Sequence, residues 1–98
     1  MIIVRNTFQL KFGHAKEVKV LIAEGRELMK QHGQPEVRYL MDVTGKFYTL
    51  EMESAYENFS AYEKKSTETM SSKEFGAWYG KFMAHIESGN REIFSVVE

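Results

Sequence analysis

A single polar residue, Asn6, interrupts an otherwise apolar strand face near the beginning of the chain. Ile2, Val4, Phe8 and Leu10 alternate with mostly polar residues, and Asn6 falls on their side of the strand. A buried amide without a partner costs about 1–3 kcal/mol, so Asn6 needs one. It could bind a ligand carbonyl or the oxyanion of an activated substrate, or it could tie a backbone group or a tyrosine hydroxyl. We take Asn6 as the candidate catalytic residue.

Aromatic residues form a second candidate group. The chain contains 7 Phe, 5 Tyr and 1 Trp, a heavy load for 98 residues. The residues that we expect to contact a ligand are Phe8, Tyr62, Phe75, Trp78, Tyr79 and Phe82. Pockets for flat ligands are mostly apolar with a few polar groups, which an asparagine and two phenol hydroxyls would supply. The alternative is that these aromatic residues simply fill the core.

The histidines offer little for a metal site. No two of His14, His32 and His85 have the i, i+4 spacing of a metalloprotease site, and cysteine is absent. The chain also has no phosphate-binding glycine loop and no dinucleotide-binding motif. We therefore expect neither a metal nor a cofactor, and a general-base role for His85 remains open.

Length and charge restrict the class of protein. A chain of 98 residues and 11.4 kDa predicts one domain spanning residues 1–98. Thirteen basic and fourteen acidic residues give a net charge of −1, which argues against a nucleic-acid partner. No apolar run approaches the roughly 20 residues of a membrane span, so we expect no membrane partner and a cytoplasmic location.

Apolar periodicity predicts the elements that position these side chains. A strand over residues 1–12 has an apolar face that extends to Phe12. A helix over 14–32 follows, because its apolar residues recur in steps of three and four. Gly33 stands where a left-handed C-cap belongs, and Pro35 prevents the helix from continuing.

An antiparallel hairpin is predicted in the middle of the chain. Strands over 36–43 and 47–53 alternate in polarity and are joined by Thr44 and Gly45. A helix from 55 to about 68 follows, with Ser54 as its N-cap.

The last third of the chain continues this helix after a bend. A second apolar stripe over 75–86 begins after Ser71 or Ser72, either of which could cap it, and residues 88–90 end it before a strand over 91–97. The order β-α-β-β-α-β, with the second helix broken in two, predicts an α+β fold of the ferredoxin-like type.

Helices can cover only one face of such a sheet. The other face is predicted to carry a mixture of polar, charged and apolar residues: Ile3, Arg5, Thr7, Gln9, Arg38, Phe47, Thr49 and Glu51. Two sheets packed face to face would close into a dimeric α+β barrel, in which Arg5 or Arg38 pairs with Glu51. We therefore expect a homodimer, and a monomer with a solvated sheet face is the alternative.

Several stretches resemble a known superfamily. They are VRNTF at 4–8, GHAK at 13–16, FSAY at 59–62 and ESGNREI at 87–93. With them the chain resembles the dimeric α+β barrel superfamily, which includes antibiotic-biosynthesis monooxygenases, haem-degrading monooxygenases and NIPSNAP-like proteins. The stretch at 87–93 favours the NIPSNAP-like side. The resemblance spans nearly the whole chain and implies the barrel fold.

The resemblance also bears on haem chemistry. Haem-degrading members use an Asn, a Trp and an axial His. Asn6 matches the Asn, but Tyr62 stands in the place of the Trp and Tyr79 in the place of the His. With one position of the set in agreement, the resemblance does not imply haem degradation.

Three functions remain open at this point. The first is a homodimeric protein of the NIPSNAP and antibiotic-biosynthesis-monooxygenase type, without established chemistry, that binds a small aromatic or apolar molecule between sheet and helices. The second is a cofactor-independent monooxygenase of phenols or quinols, in which Asn6 stabilises the substrate anion and Tyr62, Trp78 and Tyr79 hold the rings. The third is a haem-handling protein with His85 or Tyr79 as the iron ligand.

Overall fold

A four-stranded antiparallel sheet with three helices makes up the molecule. The computed structural model describes all residues from 1 to 98. The elements are β1 (Ile2–Leu10), α1 (Ala15–Gln31), β2 (Arg38–Met41), β3 (Thr49–Tyr56), α2 (Phe59–Met70), α3 (Lys73–Met83) and β4 (Ile86–Ser95). The strands lie in the order β2-β3-β1-β4. This is the order of a ferredoxin-like sheet, so the predicted fold class is confirmed.

The core lies between the helices and one face of the sheet. The apolar side chains that alternate along β1 and β3 pack against the stripes of α1 and α3, with Val4, Val18, Leu50 and Phe82 almost fully buried. The indole N–H of Trp78 donates to the backbone oxygen of Leu21 over 2.7 Å, which ties α3 to α1. None of the three helices is long and apolar enough to cross a membrane.

Two predicted helix boundaries agree with the structure, and one cap does not. Gly33 has a φ of 69° just beyond α1, and the Ser72 hydroxyl accepts a hydrogen bond from the backbone N–H of Phe75 at the start of α3. Ser54, however, does not cap α2. It lies in β3, which continues to Tyr56 because the strand stays paired with β1, and Asn58 caps α2 instead.

The last strand begins earlier than its sequence indicates. Residues 88–90 do not end a helix but pair with β1, where Gly89 lies opposite Phe8. A Cβ atom on Gly89 would stand 2.9 Å from Cδ1 of Phe8, so this glycine makes room for a ring of the core. The contact with Phe8 therefore explains Gly89, which in the sequence alone is typical of a residue that ends a helix.

Phe12 does not extend the buried face of the first strand, contrary to the prediction. Its side chain is 77% exposed, because β1 ends at Leu10 and the chain turns at Gly13, whose φ is 85°. The Phe12 ring packs instead on Phe47 and Tyr48 at the outside of the sheet end.

The face of the sheet opposite the helices is open, and its central acid is Glu53 rather than Glu51. Glu53 accepts hydrogen bonds from Arg5 Nε at 2.8 Å and from Arg38 Nη2 at 2.9 Å. The predicted partner, Glu51, was wrong by two residues along the strand. Arg5 lies directly opposite Glu53, and Glu51 accepts a hydrogen bond from Thr7. The hydrogen bond from Arg5 lowers the pKa of Glu53 below its ordinary value of 4.5.

The close approach of α1 to α3 generates a stability prediction. A Cβ atom on Gly25 would lie 2.6 Å from Cε2 of Trp78, whereas one on Gly80 would meet nothing within 4 Å. We expect Gly25→Ala to lower the free energy of unfolding by about 1–3 kcal/mol through overpacking. Gly80→Ala should raise it by up to about 1 kcal/mol, because alanine is the better helix former. Urea unfolding followed by circular dichroism measures both, and equal effects of the two substitutions would contradict the packing described.

Candidate functional site

A cavity of about 220 Å³ lies between the sheet and the helices. Twelve of its eighteen lining residues are hydrophobic. The structure brings the whole predicted set to its wall, from β1, α2 and α3: Asn6, Phe8, Tyr62, Phe75, Trp78, Tyr79 and Phe82. That these residues bind a ligand or carry catalysis remains a prediction.

The aromatic wall of the cavity belongs to the core at the same time. The rings of Trp78 and Phe82 stack with centroids 5.2 Å apart, and those of Phe75 and Tyr79 stack at 5.8 Å. Phe82 is 1% exposed and meets the edge of Phe8 at 5.2 Å. These residues thus fill core volume and also line the cavity, so the two alternatives from the sequence are not exclusive.

Asn6 is held by an arginine that the sequence analysis did not single out. Arg91, directly opposite Asn6 on β4, donates from Nε to Asn6 Oδ1 over 2.7 Å, and both residues line the cavity. The partner is therefore neither a backbone group nor a tyrosine hydroxyl. Arg91 thus fixes the orientation of the Asn6 amide, whose two Nδ2 hydrogens stand available to a ligand beside the remaining N–H groups of the guanidinium.

Three further polar residues of the wall, Gln34, Tyr56 and Thr69, bind one another. The Tyr56 hydroxyl donates to Gln34 Oε1 at 2.7 Å, and Gln34 Nε2 donates to Thr69 Oγ1 at 2.6 Å and to the backbone oxygen of Lys65 at 3.1 Å. Thr69 is 4% exposed. Burial raises the pKa of Tyr56, which keeps its hydroxyl protonated and donating. These contacts join the α1–β2 loop, β3 and α2 at the cavity wall.

Arg91 and this hydrogen-bonded group were missed for a physical reason. Both depend on which residues meet across the fold, and only the strand register of β4 places Arg91 beside Asn6. A signal was nevertheless present, because Asn6 and Arg91 fall inside two of the stretches on which the resemblance rests.

The histidines lie outside the cavity. His14 Nδ1 and His85 Nδ1 are 2.8 Å apart at the end of β1, where one ring donates and the other accepts. No Asp, Glu, His or Lys lines the cavity, so none of its side chains is an ordinary general base near neutral pH. No group of three or more His, Cys, Asp or Glu is arranged to hold a metal ion.

A second hollow, of about 290 Å³, adjoins the cavity beside β4. The two share Asn6, Phe8, Tyr79 and Arg91 as lining residues, and Glu87 lines only the second. The Asn6–Arg91 pair therefore stands at the boundary between an aromatic interior and a more polar surface hollow.

Comparison with solved structures places this fold among known proteins. A NIPSNAP family protein from Agrobacterium tumefaciens superimposes with a TM-score of 0.92 at 14% identity, covering 99% of this chain and 86% of that one. A putative antibiotic biosynthesis monooxygenase from Nitrosomonas europaea gives 0.76 at 10% identity over 100% of both chains. A variant of a cofactor-independent oxygenase from Streptomyces nogalater gives 0.69 at 12% identity, covering 99% of this chain and 93% of that one.

Sequence comparison adds no closer assignment. No protein-family model matches the chain, and no curated protein matches it. The structural likeness, at identities this low, establishes the fold. The chain thus has the α+β ferredoxin-like fold of NIPSNAP domain proteins and of antibiotic biosynthesis monooxygenase-type proteins, as its sequence resemblance implied.

Proposed function

We propose that this chain is a homodimeric α+β barrel protein of the NIPSNAP and antibiotic-biosynthesis-monooxygenase type that binds a small aromatic or apolar molecule between its sheet and its helices. The observation that carries the proposal is the Asn6–Arg91 pair at the wall of an aromatic cavity. Ligand sites typically combine an apolar wall with a few polar groups that orient the ligand, and this cavity has that composition.

The homodimer is supported by the open face of the sheet. Arg5 and Arg38 converge on Glu53, whose side chain is only 14% exposed, and the Arg5 guanidinium lies 5.2 Å from the centre of the Phe94 ring. Leu40 on β2 leaves a further apolar side chain on that face. A second copy would cover these apolar groups, and the charges that it buries are already paired, as burial requires.

A second candidate function is a cofactor-independent monooxygenase of phenols or quinols. The Asn6–Arg91 pair favours it, because donors and a positive charge beside an aromatic cavity would stabilise a phenolate and the carbanion form of that anion. Such a carbanion reduces oxygen itself, so no cofactor is needed. Since no lining residue is an ordinary base, the substrate would have to lose its proton to solvent.

Haem handling has less support. The cavity of about 220 Å³ lies below the usual range for drug-sized ligands, about 300–1,000 Å³, and a tetrapyrrole is larger still. His85 is bonded to His14 outside the cavity. Tyr79 lines the cavity and would be the only candidate ligand of the two to reach an iron there.

Ligand binding is tested through Trp78, the single tryptophan, which lines the cavity. Titration with 1,4-naphthalenediol should quench its fluorescence with saturation. Asn6→Ala should weaken binding about 3- to 10-fold, the worth of one hydrogen bond, while the melting temperature changes little. If Asn6→Ala unfolds the protein and the unmodified chain shows no quenching, Asn6 is a structural amide and the binding proposal fails.

The dimer is tested by light scattering, which should give about twice 11.4 kDa at micromolar concentration. Thr7→Glu would add a carboxylate beside Glu51 on the open face, and we expect it to dissociate the dimer because the charge would be unpaired when covered. Ser60→Glu, on the exposed side of α2, adds the same charge away from that face and should leave the dimer intact. A folded monomer in the unmodified protein would exclude the barrel.

The monooxygenase is distinguished from a binding protein by oxygen uptake. With anthrone as substrate, a monooxygenase should consume oxygen at a rate proportional to protein concentration. Arg91→Gln should slow this rate by about 10-fold or more, because it removes the positive charge beside the substrate anion. If oxygen uptake equals that of buffer while the quinol still quenches Trp78 fluorescence, the protein binds the ligand and does not oxidise it.

A further inference from the structure

We infer that the ligand of the aromatic cavity is a small monocarboxylate with one or two rings, whose carboxylate is held by Arg91 and Asn6. The inference rests on the proposed binding function and specifies its substrate class. It depends on three features of the cavity: the positive charge of its polar end, the absence of a second charge on its wall, and its volume.

The polar end offers donors and a positive charge. Arg91 is the only charged residue on the cavity wall, and its single hydrogen bond within the chain uses Nε. The two Nη nitrogens are therefore free, and they form the planar edge that binds a carboxylate through parallel hydrogen bonds. Asn6, oriented by its bond from Arg91, adds its Nδ2 hydrogens as further donors. This end favours an acceptor group, and a negatively charged one most of all.

The remaining polar wall is uncharged, and its one further amide is already used. Gln34 donates to both Thr69 and Lys65 and accepts from Tyr56, so its amide is fully engaged inside the protein. The other polar lining residues are neutral, so a second charged group on the ligand would lose its hydration without meeting an opposite charge. The cavity therefore favours a ligand with a single charged end.

The volume limits the body of the ligand. The cavity, at about 220 Å³, lies below the usual range for drug-sized ligands, about 300–1,000 Å³. The stacked rings of Trp78 and Phe82 form part of its apolar wall. One ring, or two fused rings, fits this space, whereas a polycyclic quinol would have to extend into the adjoining hollow.

Neighbouring charge does not cancel the preference. Glu87 is the one acid that lines the adjoining hollow, and it does not line the cavity itself. Arg91 makes no ion pair with Glu87, so its charge stays available to a ligand carboxylate.

The test compares two ligands of the same size by isothermal titration calorimetry. Phenylacetate carries the carboxylate, and phenylacetamide replaces it with a neutral amide of the same shape. The unmodified protein should bind the acid about 10-fold or more tightly than the amide, because a hydrogen bond to a charged group is worth more than a neutral one. Arg91→Gln should abolish this preference, because it lowers the affinity for phenylacetate by more than the affinity for phenylacetamide.

Two further variants sharpen the result. Arg91→Lys keeps the charge but loses the planar edge, so it should retain part of the preference. Arg26→Gln removes the same charge from the exposed side of α1, where Arg26 lies over Tyr39, and should leave the preference unchanged. Circular dichroism checks that each variant is folded.

The outcomes separate this inference from the function on which it rests. Equal affinity for acid and amide, or an undiminished preference in Arg91→Gln, overturns the carboxylate assignment and leaves the binding function in place. If neither compound binds but the quinol still quenches Trp78, the carboxylate class is likewise wrong. If none of the three compounds binds, the binding function itself fails.

Discussion

The pairing of β1 on both of its edges is the constraint on which the rest of the molecule depends. β1 lies between β3 and β4, so each of its residues has a partner on either side, and successive residues point to opposite faces. Asn6 thereby meets Arg91 on the helix side, while the adjacent Arg5 meets Glu53 on the open side. A slip of one residue would bring Arg5 into the aromatic cavity and Asn6 out of it. One register therefore sets both the polar end of the cavity and the ion pairs of the open face.

Two glycines allow large aromatic rings to pack closely against the backbone. Gly89 accommodates the edge of Phe8, and Gly25 accommodates the indole of Trp78 against α1. Phe8 and Trp78 both line the cavity, so the same two close approaches fix the positions of its walls. Close packing against these two glycines fixes the Phe8 and Trp78 rings, so the rings do not collapse into the cavity.

The sequence predicts the parts of this arrangement that have a local period. Alternation placed Asn6 on the buried side of β1, and the helical spacing of Phe75, Trp78, Tyr79 and Phe82 placed them on one stripe. The sequence alone did not predict which side chains pair across the fold. The predicted last strand begins at Arg91, so its register did not place Arg91 opposite Asn6. Glu53 was missed because Glu51 and Glu53, two residues apart, lie on the same face of β3. The Gln34–Tyr56–Thr69 contacts join three separate elements and have no period at all.

The two faces of β1 are also linked mechanically. On its open side, Arg5 is held by Glu53, and that acid is ionised above its lowered pKa and binds Arg38 as well, so β1 is tied to β3 and β2 by charge as well as by backbone hydrogen bonds. Covering this face would remove water from the ion pairs and strengthen them, because the attraction between charges grows as the dielectric falls. A second copy on the open face would thus stiffen the strand that carries Asn6. The Asn6–Arg91 pair would then be held in place before a ligand arrives, and an oriented pair loses less conformational entropy on binding than a mobile one. On this reasoning the proposed dimer interface and the aromatic cavity, on opposite faces of one strand, would act on the same few residues.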